Sequence, residues 1–232
     1  MILGFLSDAH GNREAFDQGI GVLRSSGADS IYFLGDAVGY LPGDSVLEAI
    51  RTAGAIPILG NHDANLLGRQ IDPVRDHMFR LRDTLRTASP TNLEFLATWP
   101  DHRAVQSQAG SLLLVHGSPT DRLGGYIYPD SDVTQFSTAD TNYIFTGQTH
   151  RPFVRRGEPT TIINVGSCGL PRDCGNLGAV CIFDDATGEA EIIRFDIQAA
   201  TRAALDRCGP VAPEVLSVFA RRSADCGGAQ DG

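Results

Sequence analysis

The chain has 232 residues, 42% hydrophobic and 20% charged, enough to bury a full core and too apolar for a disordered chain. Its net charge of −9 and pI near 5.0 exclude a general grip on duplex nucleic acid, which needs a basic face. All 19 basic side chains are arginine, so P-loop and Schiff-base chemistry, both of which need lysine, are excluded as well.

Short apolar runs rich in Ile, Leu, Val and aromatics predict strands at Ile2–Leu6, Ser30–Leu34, Ala55–Leu59, Ser111–Val115, Asn142–Phe145, Thr161–Val165, Ala179–Phe183 and Glu191–Phe195. Asn12 is placed to cap a first helix running to about Ser26, with Phe16, Ile20 and Leu23 on one stripe. Further helices are predicted over Ser45–Ala53, Ala64–Ala88 and Thr91–Thr98. Turn signals at Arg156–Pro159 and Asp185–Gly188 bring the later strands close together and predict antiparallel pairing in the second half. Gln198–Phe219 reads as a helical tail broken at Gly209-Pro210, and Cys226–Gly232 as a frayed end. The division expected is a main domain over residues 1–196. Residues 197–232 form a C-terminal helical tail, part of that domain or a partly disordered extension.

The five cysteines are odd in number and form no CxxC, so reduced thiols are expected rather than a disulfide framework or structural zinc. The apolar start has no basic run before it and does not read as a signal peptide. No apolar run approaches the ~18 residues of a membrane span. A cytoplasmic location and no membrane partner follow as expectations.

Five predicted strands each deliver a potential metal ligand just past the carboxyl end. Ile2–Leu6 leads into SDAHGN, with Asp8 and His10; Ser30–Leu34 into Asp36; Ala55–Leu59 into GNHD, with Asn61 and His62; Ser111–Val115 into His116; and Asn142–Phe145 into GQTH, with Gln148 and His150. That edge of an α/β sheet is where ligands bind. A neighbouring glycine permits a sharp turn and close approach. Carboxylate, imidazole and amide oxygen without thiolate form a borderline-hard set suited to Mn, Fe, Zn, Ni or Co. Six or seven such groups are too many for one catalytic ion. Two ions about 3.5–4 Å apart can share a hydroxide and clamp a phosphoryl oxygen, with a carboxylate bridging them.

The motifs SDAHGN, GDAVGY, GNHD, LLLVHGSP, GQTHRP and INVGS resemble the calcineurin-like metallophosphoesterase superfamily, and most of all its small bacterial and archaeal phosphodiesterases. They cover Ser7 to about Asp173 and leave the tail unmatched. The resemblance implies an α/β fold of two packed mixed β-sheets flanked by helices, a four-layer αββα sandwich. It implies that Asp8, His10 and His150 hold one ion, that Asp36 bridges, and that Asn61 and His116 hold a second. His62 would contact the phosphate and protonate the leaving oxygen, a role suited to imidazole. The implied activity is attack of a metal-bridging hydroxide on a small, nucleotide-like phosphodiester, with manganese the first choice of metal. A phosphomonoester or a dinucleoside polyphosphate fits the same fold.

The family's usual GHTH is GQTH here, so Gln148 stands where the resemblance places a histidine ligand. Its amide oxygen is a weaker donor, and a weakened second site is expected. The substitution also raises an alternative: a weak or inactive member acting as a protein scaffold or nucleotide sensor. The loop Asn164–Ser167 lacks the family's usual proline and is expected to turn the chain near the metals. Arg172 is a candidate for the substrate phosphate, and otherwise a partner of Asp173; Arg151 is a weaker candidate. Arg155 and Arg156 read as a hairpin turn, His77 as solvated helix and His102 as loop. Tyr40, Tyr126 and Tyr128 are candidate pocket walls. Oligomeric state is not encoded in any motif.

Overall fold

The apolar runs form two sheets packed face to face in a computed structural model that describes residues 1–137 and 140–222. Cys226 and the Cys226–Gly232 end lie outside the described residues. The strands are β1 Ile2–Leu6, β2 Ser30–Phe33, β3 Ile56–Pro57, β4 His102–Ser107, β5 Gly110–Val115, β6 Tyr143–Thr146, β7 Phe153–Arg155, β8 Thr161–Asn164, β9 Leu177–Asp184 and β10 Ala190–Asp196. The first sheet has the order β10-β9-β1-β2-β3 and the second β4-β5-β6-β8-β7. Both are mixed. β1, β2 and β3 run parallel, as do β5, β6 and β8, and the outer pairings β1–β9, β9–β10, β4–β5 and β7–β8 are antiparallel. The expected fold class is therefore the observed one.

Period-two alternation sorts the side chains. Leu3, Phe5, Cys181 and Phe183 point inward from the first sheet against Leu112, Leu114, Phe145 and Ile163 of the second. Phe5 stacks on Phe145 with ring centroids 4.0 Å apart. Leu6 and Phe33 face the other way, onto helix α1 (Arg13–Ser25) through Phe16, Ile20 and Leu23, and onto α2 (Ser45–Ala53) through Val46, Leu47 and Ile50. The outer face of the second sheet is covered by Ile127 and by Phe136, which sits in a 3-10 turn at Thr134–Phe136. Asn12 caps α1, accepting from the Ala15 amide at 3.2 Å.

Three differences from the sequence reading have local causes. The helix expected over Ala64–Ala88 is three: α3 Asn61–Gly68, α4 Asp76–Phe79 and α5 Leu81–Thr87. Arg69 and Arg80 take positive φ at the breaks, and the Asp76 carboxylate accepts the Leu81 amide to start α5. α6 follows at Pro90–Leu96, capped by Ser89. β4, which includes His102, and β7, which includes Arg155, were hidden by their composition. Both are edge strands carrying polar side chains.

The tail forms α7 (Gln198–Cys208) and α8 (Pro213–Phe219), broken at Gly209 with φ 71°. Ala204 and Val215 are buried against Tyr40, Leu41 and Leu170. Arg207 binds the Glu14 carboxylate and the Gly11 carbonyl. Cys168, Cys174, Cys181 and Cys208 are free thiols. No helix among the described residues is long and apolar enough to cross a membrane.

Candidate metal centre

Parallel pairing within each sheet brings the carboxyl ends of β1, β2, β5 and β6 to one edge. The backbone there turns so sharply that Asp8, His10, Asp36, Gln148 and His150 adopt φ between 47° and 64°. Non-glycine residues rarely sit in this region, at a cost of roughly 1–2 kcal/mol each. The turns were expected from the adjacent glycines, but the ligand residues make them as well. What the glycines supply is proximity. A Cβ on Gly60 would lie 2.1 Å from Asp36 Oδ1, and one on Gly147 2.5 Å from Asp8 Oδ2.

The result is a buried cluster of Asp8, His10, Asp36, His62, His116, Gln148 and His150. His10 Nδ1 faces the Val38 carbonyl at 3.0 Å, His116 Nδ1 the Leu34 carbonyl at 2.8 Å, and His150 Nδ1 the Leu170 carbonyl at 2.6 Å. A carbonyl only accepts, so each Nδ1 carries a proton and each ring turns its Nε2 into the cluster. Those three nitrogens point at one another and at the carboxylates. His10 Nε2 and His150 Nε2 lie 3.1 Å apart. Asp8 Oδ1 is 3.2 Å from His150 Nε2, and Asp36 Oδ2 is 3.6 Å from His10 Nε2 and 3.4 Å from His116 Nε2. Asp8 Oδ1 and Asn61 Oδ1 are buried with no hydrogen-bond partner.

The electrostatics follow from crowding acids and imidazoles out of water. Burial pushes Asp8 upward, but His150 and His116 outweigh it and hold the carboxyl below its ordinary range. Asp36 lies well below it, with burial overcome by His116 and His62. Burial pulls His10 and His62 down. Burial also lowers His116, yet Asp36 and Asp8 prevail and raise it to about 10. Converging lone pairs, orphaned acceptor oxygens and two carboxylates are a donor set that fits divalent cations. Asp8, His10 and His150 have donor atoms within 4.8 Å of one another, as do Asp8, Asp36 and His116, and also His10, Asp36 and His62.

The candidate ligands Asp8, His10, Asp36, His116, Gln148 and His150 lie together at this edge with His62. Gln148 turns Oε1 toward His116 Nε2 at 3.3 Å and gives its amide N–H to the Leu123 carbonyl at 2.9 Å. The Asn164–Ser167 loop braces the ligand turns: Asn164 Nδ2 donates to the Gly147 carbonyl at 2.7 Å and Ser167 Oγ to the Asp8 carbonyl at 2.7 Å. Asp173 is taken by Arg194 at 2.6 Å. Arg172 instead donates to the Tyr40 hydroxyl at 2.8 Å, and the Tyr40 ring packs against His10 and His62. Arg151 binds only through its backbone amide, to Thr149. Arg156 pairs with the distant Glu189.

Two contributors went unread. Asp63 accepts the amides of Asp36, Ala37, Val38 and Gly60, locking the two loops together; an acidic residue in the first turn of a helix is the only local mark it leaves. The Tyr40–Arg172 pair spans 132 residues and left no local mark.

Comparison with known proteins gives the family and the fold. The model of the calcineurin-like phosphoesterase superfamily domain matches residues 1–187. An uncharacterized protein of Methanocaldococcus jannaschii is 30% identical over 221 residues, covering 86% of this chain and 90% of its own. The crystal structure of a metallophosphoesterase from Sphaerobacter thermophilus superposes with a TM-score of 0.78 at 27% identity, covering 95% of this chain and 98% of that one. A hypothetical protein of Pyrococcus horikoshii gives 0.77 at 20% identity, with 94% and 97% covered.

Proposed function

The chain belongs to the calcineurin-like phosphoesterase superfamily, and from that premise we propose that it hydrolyses a small, nucleotide-like phosphodiester at a two-metal centre. The observation that carries the reading is the meeting of three histidine Nε2 atoms with Asp8 and Asp36 in a buried site. Asp8, His10 and His150 would hold the first ion, Asp36 would serve both, and Asn61, His116 and Gln148 would hold the second. Manganese is the first choice, with iron, zinc, nickel or cobalt suited to the same donors. When bound, two such ions supply a hydroxide nucleophile at neutral pH and neutralise charge on the phosphoryl group.

The chain's own residues do the rest. Backbone carbonyls fix the tautomer and direction of each histidine. His62 faces the phosphoryl group and gives a proton to the leaving oxygen. Arg172, held by Tyr40, presents its guanidinium to a non-bridging oxygen. The free thiols support a reducing, cytoplasmic setting. The test is hydrolysis of bis(p-nitrophenyl) phosphate beside p-nitrophenyl phosphate by protein stripped of metal and reloaded with Mn²⁺. The expected result is diester turnover that requires metal and exceeds monoester turnover. No turnover of either ester with any of the five metals would sink the reading.

Gln148 sets the loading order. A neutral amide oxygen binds a divalent ion less strongly than an imidazole, so Mn²⁺ titration of the metal-free chain is expected to resolve a tight site and a weaker one. Gln148→His should tighten the weaker site by at least about tenfold, the lower end of what ligand-tuning changes produce. Two equal sites in the native chain would refute this.

A further inference from the structure

The loop after His116 carries two aromatic rings that the hydrolytic centre does not use. Ile127 is buried with Val115, Ile144, Phe153 and Phe136, which turns its neighbours Tyr126 and Tyr128 outward from this extended stretch. They are 53% and 41% exposed, and among the described residues the exposed large apolar side chains are these two, Met1, Val74 and Leu216. The rings are nearly parallel, with centroids 5.9 Å apart and planes 7° from one another. A pair of solvent-facing aromatics held in register is a surface feature that needs a reason, since each ring is left half wet.

The position of the pair supplies one. The loop is tightly built: the Gly117 amide donates to the Arg122 carbonyl at 2.7 Å and the Gly125 amide to the Asp121 carbonyl at 3.0 Å. A Cβ on Gly117 would strike the Asp121 carbonyl oxygen at 2.6 Å, and one on Gly125 would meet it at 2.7 Å. Leu123, three residues before Tyr126, accepts the Gln148 amide at 2.9 Å, which ties the loop to the metal centre. The loop that carries the rings is thus anchored beside His116 and Gln148.

We infer that Tyr126 and Tyr128 form a stacking platform for an aromatic substituent of the substrate, a nucleobase, while the attached phosphate lies at the metal centre. The inference rests on the phosphoesterase reading above and narrows its substrate class. The gap between the rings is too small for a third, which needs two contacts of about 3.5 Å each. The base therefore stacks on the open face of Tyr126, and Tyr128 backs it. Recognition by stacking tolerates any base.

The test is equilibrium binding of AMP and of ribose 5-phosphate to the full chain with Mn²⁺, by calorimetry. Native protein is expected to bind AMP about tenfold more tightly than ribose 5-phosphate, within the range of one base-on-aromatic stack. Tyr126→Ala with Tyr128→Ala should erase that margin and leave ribose 5-phosphate binding unchanged; Tyr126→Phe should keep it. Equal binding of the two compounds by native protein, or a margin that survives the double alanine change, overturns the platform. Diester turnover separates the two readings. Turnover without a base margin defeats the platform alone. A tyrosine-dependent margin without turnover upholds the platform and defeats the esterase.

Discussion

Asp36→Asn is expected to lower metal-dependent diester hydrolysis by about a thousandfold or more while leaving the fold intact. Its Oδ2 lies between His10 and His116, where a carboxylate bridges two ions, and such charge stabilisation is worth several kcal/mol. Roughly 4 kcal/mol corresponds to a thousandfold in rate. The fold survives because Asp36 Oδ1 accepts the His62 amide at 2.9 Å, a bond that an asparagine carbonyl keeps. Melting with and without Mn²⁺ is the check. A ligand at a hundred times its Kd adds about 2.7 kcal/mol, or roughly 5–10 °C for a chain of this size. The native protein should gain that much from Mn²⁺ and the variant less than half. An equal gain, or activity within tenfold of native, would remove Asp36 from the bridging position.

The candidate site was legible because its residues stand beside hydrophobic runs. Each strand is short, apolar and followed by a polar turn, so the sequence alone places Asp8, Asp36, His116 and His150 at a sheet edge. Legibility failed where the physics is not local. Positive φ at Asp8 or Gln148 is imposed by the packing of two loops, and neither residue type announces it. β4 and β7 are edge strands whose polar side chains carry no periodic signal. The breaks at Arg69 and Arg80 divide a stretch expected as one helix, although Gly68 and Pro73 inside it disfavour a continuous one. For Arg172, a candidate for the substrate phosphate, the alternative was a pair with its sequence neighbour Asp173, but Arg194 from β10 takes that carboxylate at 2.6 Å and leaves Arg172 to Tyr40. Gln148 shows both sides: its departure from histidine was visible in the motif, whereas its second bond to Leu123 appears only once the loop is folded.

His62→Ala is expected to slow hydrolysis of an alkyl ester by roughly 10²–10⁴, the range of general acid catalysis, yet slow a nitrophenyl ester only a few-fold. The ring is buried, packs against His10, Tyr40 and Phe79, and its Nδ1 has no hydrogen-bond partner. Two roles suit such a group. As an acid it protonates the leaving oxygen, which matters for a basic alkoxide and little for a nitrophenolate that departs unaided. As a ligand, which its closeness to His10 and Asp36 permits, it would affect all esters alike through lost metal. The anionic phosphoryl group of a bound substrate opposes the burial that keeps the free ring neutral, so the acid role needs substrate in place. Rates for a series of diesters of graded leaving-group basicity, with Mn²⁺ affinity measured on the same variant, separate the two. A loss that steepens with basicity at unchanged Mn²⁺ affinity assigns His62 to proton transfer. A uniform loss with weakened Mn²⁺ binding moves it into the ligand set and leaves Arg172 as the remaining group on the substrate side.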